Sequence, residues 1–206
     1  MSLNVKSLLM AFAALGLCGH AAYAQTYGFA TLPPGTLNHT TASAVSKVLK
    51  EKAGMNMLVQ PTAGDQVIVP MVARGEVEIG IANAMEVHDW LAKGNQELRI
   101  IAAVHPLRVG FFVRKDSDIK TVADLKGKRV PFGFSAMRAL EPTVRAMLAT
   151  ANLSQKDIKP VMVPNVVRSA DDFVSGAADA FYFAFGAPKV REVDATTGGI
   201  RMIEID

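Results

Sequence analysis

Short apolar runs alternate with longer amphipathic stretches along most of the chain. The alternation predicts strands and helices in turn. Residues 26–31 (TYGFAT) predict a strand, and Ala42, Val45, Val48 and Leu49 place one apolar side on a helix over 38–53. A strand over 56–60 stops at Pro61, and a helix over 65–74 ends at Gly75. Residues 77–82 are almost continuously apolar, as in a strand buried on both faces of a parallel sheet. A helix over 84–93 ends at Gly94, and strands follow at 98–104 and 109–113. The second half predicts strands at 128–132, 160–163, 179–184 and 200–205. Between them lie helices at 136–151, 166–175 and 186–194.

The two halves run in the same order: a loop, a long helix, a strand ending in proline, a helix ending in glycine, an apolar strand. VARGEVEIGIANA (72–84) aligns weakly with FVSGAADAFYFAFG (173–186). This order predicts two similar α/β lobes with parallel sheets. Ligands of such sheets collect at the loops beyond the carboxyl ends of the strands, so two facing lobes enclose a cleft.

The first 24 residues stand apart. A basic start at Lys6, an apolar run from Leu8 to Cys18 and the small-residue site Ala22-Tyr23-Ala24 predict a secretory signal cleaved after Ala24. The run is shorter than the roughly 20 residues a membrane span needs. The only cysteine, Cys18, leaves with the leader, so the mature chain is expected to use neither disulfide nor thiol chemistry. Net charge is only +3, acids and bases are interspersed, and no basic stripe with aromatics occurs, which argues against a nucleic-acid partner.

Candidate chemistry centres on Gly133-Phe134-Ser135-Ala136-Met137. A serine between strand and helix is the setting of a nucleophile elbow. Met137 stands where the elbow uses glycine, however, and no histidine follows Ser135, so the triad has no base and an enzyme is not expected. The mature histidines, His39, His88 and His105, lack metal-ligand spacing, and neither a dinucleotide nor a phosphate-loop glycine motif occurs; no metal or cofactor is expected. What remains is a helix N-terminus, whose free N–H groups favour anions, with Ser135 as its N-cap. Arg138 has two readings: a charge-assisted bond to a ligand carboxylate, or pairing along one helix face with Glu141 and Arg145. Comparable loops follow other strands: TLPPGTLNHT (31–40), PTAGDQ (61–66), Asn83 and FAFGAP (183–188).

Four segments together carry a family resemblance: LPPGTLNHTTASAVSKVLKE, PTAGDQVIVPMVARGEVEIGIAN, LRVGFFVRKDSDIKTVADLKGKRVPFGF and VVRSADDFVSGAADAFYFAFGAPKVREVD. They resemble the TAXI-type solute-binding proteins of TRAP transporters over essentially the whole mature chain. The resemblance implies an α/β, two-lobed type II periplasmic binding fold. Lobe one with the hinge strand would span 25–113, and lobe two 114–206. It implies a periplasmic receptor that captures a small organic acid or amino acid and delivers it to TRAP membrane subunits. By position, the expected ligand contacts are Thr36, Asn38, Gly64, Asp65, Gln66 and Asn83 from lobe one. From lobe two they are Ser135, Ala136, Met137 and Gly186, with Arg138 beside them. Asp65 stands where many relatives carry a small or hydroxyl residue, which argues against a wholly anionic solute. Relatives continue past the strand at 200–205 to complete lobe one, so the resemblance leads to the expectation of an incomplete first lobe. The rival readings are a ligand-sensing regulatory domain of the same fold, such as LysR-type regulators carry, and an inactive fragment of a binding protein.

Overall fold

The computed structural model describes residues 25–94 and 97–205. The leader expected at 1–24 lies outside the described residues. No helix among the described residues is long and apolar enough to cross a membrane.

The first sheet has β1 (Thr26–Thr31) at its centre, with β2 (Asn56–Pro61) and β3 (Ile79–Gly80) on either side, both parallel to it. Between β1 and β2 runs α1 (Leu37–Ala53). Thr36 caps its start by accepting the His39 N–H at 3.2 Å. Gly54 ends it in the left-handed region, φ 65°, returning its N–H to Leu49 and Lys50, the geometry a glycine supplies at least cost. Asp65–Ala73 form α2 and Ala84–Ala92 form α3. The small core here is Phe29, Ala42 and Ile81.

The second sheet is built on β4 (Val109–Arg114), with β7 (Phe181–Ala184) and β8 (Ile200–Met202) paired antiparallel on its two sides. A parallel pair, β5 (Arg129–Gly133) and β6 (Lys159–Val163), lies beside it. The Arg129 carbonyl accepts the Asp179 N–H at 2.9 Å, and the Arg129 N–H returns to the Asp179 carboxylate at 2.7 Å. Three helices, α4 (Leu140–Thr150), α5 (Val166–Val174) and α6 (Pro188–Thr197), complete this half. Phe111, Phe132, Phe173, Phe181 and Tyr182 are all buried here. Phe111 meets Tyr182 edge to face with centroids 5.2 Å apart, and Phe173 meets Phe181 tilted at 4.9 Å, geometries that add to simple burial.

The structure corrects several expectations. Residues 98–104 form no strand; Ile100 and Ile101 are more than 70% exposed. An apolar run becomes a strand only when a neighbour takes its N–H and C=O groups, and none of the described residues does so. The strand expected at 77–82 contracts to Ile79–Gly80, and that at 200–205 to Ile200–Met202 with one bridge from Glu204 to Thr121. The second sheet is not wholly parallel, because β4 pairs antiparallel on both sides. The helix expected from 136 begins at Leu140. Phe134 causes the delay: its φ is +42°, directly after Gly133 at +83°. A left-handed phenylalanine is uncommon, and this one is held by complete burial of its ring against Tyr182. The chain therefore leaves β5 through an irregular turn over 134–139. Ser135 lies exposed in that turn and caps no helix.

Candidate functional site

The loops at the carboxyl ends of β1, β2 and β3 meet those after β5, β6 and β7 along one seam. At its centre Gly64 lies on the turn over 134–139. A Cβ there would sit 2.0 Å from the Ala136 carbonyl oxygen and 2.8 Å from Met137 Cγ, so only glycine permits the approach. The first turn of α2 leaves its N–H groups unpaired within the helix, and one of them, from Gln66, donates to the Ala136 carbonyl at 3.2 Å. Asn165, the cap of α5, donates through Nδ2 to the Ala63 carbonyl at 3.1 Å. At the other flank the Lys189 N–H donates to the Gly35 carbonyl at 3.0 Å. Lys189 Nζ is fixed in turn by Asp171 at 2.8 Å and Glu192 at 2.6 Å.

Two buried carboxyl groups occupy the seam. Asp65 is 2% exposed and accepts the Asn83 N–H at 2.8 Å. Burial, reinforced by the nearby Glu86 charge, raises its pKa to about 6 against the pull of that backbone bond. Glu86 is 6% exposed. One of its oxygens accepts the Ala139 N–H at 2.6 Å, and the other accepts from Gln66 Nε2. A single side chain thus ties α2, α3 and the residue ahead of α4 together.

Glu86 was not among the residues expected from sequence. Its signal was present: Asn83 and Glu86 have the N-x-x-E spacing of a capping box, in which the glutamate returns to the N–H of the cap residue. Asn83 does cap α3, accepting the Met85 N–H at 2.9 Å. Its own N–H, however, is already taken by Asp65. Glu86 is released from the cap and reaches Ala139 instead.

Of the expected residues, Gly64, Asp65, Gln66, Asn83, Ala136 and Met137 converge on this seam. The loop ending in Thr36 meets the start of α6, which Gly186 precedes in a left-handed turn, φ 75°. Asn38 is buried in the first turn of α1. Ser135 and Arg138 are exposed, and neither side chain forms a hydrogen bond or ion pair with the described residues. Of the two readings of Arg138, pairing with Glu141 is not realised; Glu141 pairs with Arg145 at 2.6 Å. Two open hollows of about 400 and 540 Å³ lie around Lys115 and Arg201, beyond the other end of β4.

Paired α/β units with their strand-end loops facing one another are the architecture of the type II periplasmic solute-binding proteins, and solved structures of that class superpose on this chain. An alkanesulfonate-binding protein, SsuA, from Xanthomonas axonopodis pv. citri bound to MOPS matches with a TM-score of 0.59 at 18% identity, over 89% of this chain and 61% of that one. The aliphatic sulphonate-binding SsuA of Escherichia coli matches at 0.56 and 21%, over 87% and 60%. An ancestral arginine-binding protein bound to arginine matches at 0.62 and 17%, over 88% and 80%. The chain belongs to the NMT1/THI5-like family, whose model matches residues 46–205. A Haemophilus influenzae protein named for thiamine biosynthesis is 29% identical over 119 residues. The chain spans 37% of that protein and about 60% of the two sulfonate-binding proteins.

Proposed function

We propose that this chain is an extracytoplasmic receptor that holds a small solute at the seam between its two loop clusters and presents it to a membrane permease. The observation that carries the reading is the convergence of strand-end loops from both halves on Gly64, Gln66, Ala136 and Ala139. Such loops offer backbone N–H and C=O groups from two sides, and small solutes are bound that way in doubly wound sheets. The resemblance to TAXI-type proteins supports a TRAP permease as partner. The ligand set is proposed as Thr36, Gly64, Asp65, Gln66, Asn83, Ala136 and Met137, with Asn38, Ser135, Arg138 and Gly186 at its margin.

Of the two solute classes, an amino acid is favoured over a simple organic acid. Asp65 and Glu86 bring two buried carboxyl groups to the seam, and no lysine or arginine among the described residues forms an ion pair with either. A ligand ammonium would balance that charge, whereas a second anion would add to it.

Titration calorimetry of the chain from Gln25 onward tests the reading, with amino acids, dicarboxylates and alkanesulfonates as probes. One amino acid binding at one site per chain, weakened at least about tenfold by Asp65→Asn, is the expected result. Binding of dicarboxylates alone would reverse the choice of solute, and heat from none of the probes would count against a receptor. For export, the mature chain is expected to start at Gln25; N-terminal sequencing of periplasmic protein that begins at Met1 would contradict it.

A further inference from the structure

An ionisable side chain of the first half reaches across the seam to the second. We propose that Glu86 is a built-in latch: a tethered anion that bridges the Ala139 N–H and the Gln66 side chain and so helps to hold the two loop clusters together.

Several observations carry this. Glu86 and Ala139 are 53 positions apart, so their 2.6 Å bond is a tertiary choice and not a local one. The nearer acceptor role, returning to the Asn83 N–H, is closed to Glu86 because Asp65 holds that group. Ala139 immediately precedes α4, and its N–H has no carbonyl acceptor within the turn. The two oxygens of Glu86 serve opposite sides of the seam, one on Gln66 and the other on Ala139. A carboxylate accepting N–H donors in a buried setting makes a stronger bond than a neutral acceptor.

The consequence for binding rests on the receptor reading; the latch itself does not. A solute that enters between the clusters must first displace Glu86 from Ala139. Binding then carries a conformational cost: a latch that keeps about nine chains in ten shut weakens apparent affinity about tenfold. A solute carboxylate would take over the Ala139 N–H, and the freed Glu86 would be available to a solute ammonium.

The test measures opening without ligand. Cysteines introduced at the exposed positions Lys47 and Lys156 carry spin labels that report the separation of the two halves. Hydrogen exchange of the Ala139 amide reports the latch bond itself. Glu86→Ala is expected to lengthen the label separation and to speed Ala139 exchange about tenfold or more. Gln66→Glu, which sets a like charge against Glu86, is expected to do the same by a different route. It serves as the second variant should Glu86→Ala fail to melt cooperatively. Unchanged separation and unchanged Ala139 exchange in a folded variant would overturn the proposal. Calorimetry of the same proteins with arginine, glutamine and succinate separates the two readings. Opening with no heat from any probe, in the parent or the variants, supports the latch and counts against the receptor; opening of the variants together with heat from one probe on the parent supports both.

Discussion

The two halves of this chain follow the same local script and bury their products very differently. In the second half, β4 is covered on both edges, and Phe111, Phe132, Phe181, Tyr182 and Phe183 lie at 1% exposure or less. In the first, β3 has two residues, Phe29, Ala42 and Ile81 form a small separate core, and the buried residues that join the main core are Ala30, Leu32, Ile68 and Val77, none of them aromatic. Val45 and Val48 of α1, Leu58 of β2, and Ile100, Ile101 and Val104 after α3 all face solvent. Helix caps and strand runs are as clear in one half as in the other. What differs is the tertiary cover, which shows how little element formation says about where the stabilising burial lies. Exposed apolar segments of this kind also offer edges for pairing with another chain.

The largest expected effect sharpens that contrast directly. Phe181→Ala removes a fully buried ring that packs on Phe112 at 5.1 Å and Phe173 at 4.9 Å. It should cost about 3–5 kcal/mol. Val48→Ala, at a 54% exposed position of α1, should stay within about 0.5 kcal/mol. Urea unfolding of both variants checks this. Similar costs at the two positions would mean that Val48 is covered in solution, and the asymmetry between the halves would fall.

A smaller effect belongs to the seam where the halves meet. The Asp65 carboxyl is raised from 3.8 to about 6, so the folded chain holds its proton more tightly than the unfolded chain does. That preference stabilises the fold fully below about pH 4. It fades as pH rises through about 6, a loss of about 3 kcal/mol at roughly 1.4 kcal/mol per unit. Asp65→Asn keeps an oxygen for the Asn83 N–H and carries no charge. Its stability relative to the parent should therefore improve between pH 4 and pH 8. A difference that stays flat across this range would show that Asp65 is not buried as charge, and that the seam is open to water.

How far the sequence carried the reading follows from the same distinction. The α/β order, the glycines closing α2 and α3, and the loops at the strand ends were legible, because backbone chemistry within a few residues decides them. The strand expected at 98–104 was not, since its apolar run lacks a pairing neighbour, and pairing is decided by distant residues. Gly64 and Asp65 were picked out through a loop signature and the family resemblance. Glu86 was hidden by the same logic that revealed them: its spacing from Asn83 describes a helix cap, and only the tertiary bond from Asp65 to Asn83 removes that role. Ser135 failed in the opposite sense. It had the composition of a cap, but the left-handed Phe134 before it postpones the helix to Leu140.

Ser135 therefore supplies the smallest expected effect, best read against a serine of the same half. Ser154 holds a complete capping box: its hydroxyl accepts the Lys156 N–H at 3.3 Å, and Asp157 accepts the Ser154 N–H at 2.9 Å. Ser154→Ala should cost about 1 kcal/mol. Ser135 is exposed, and its hydroxyl bonds no described residue. The turn around it is held by backbone bonds that alanine keeps, from the Ser135 N–H to Val163 at 3.3 Å and from the Ala136 N–H to Pro164 at 2.9 Å. Ser135→Ala should leave unfolding unchanged within about 0.5 kcal/mol. A loss matching that of Ser154→Ala would mean that Ser135 caps the helix after all and that the turn over 134–139 is helical in solution. Ala136 would then turn its carbonyl away from Gln66, and the seam would lose the contact on which both halves close.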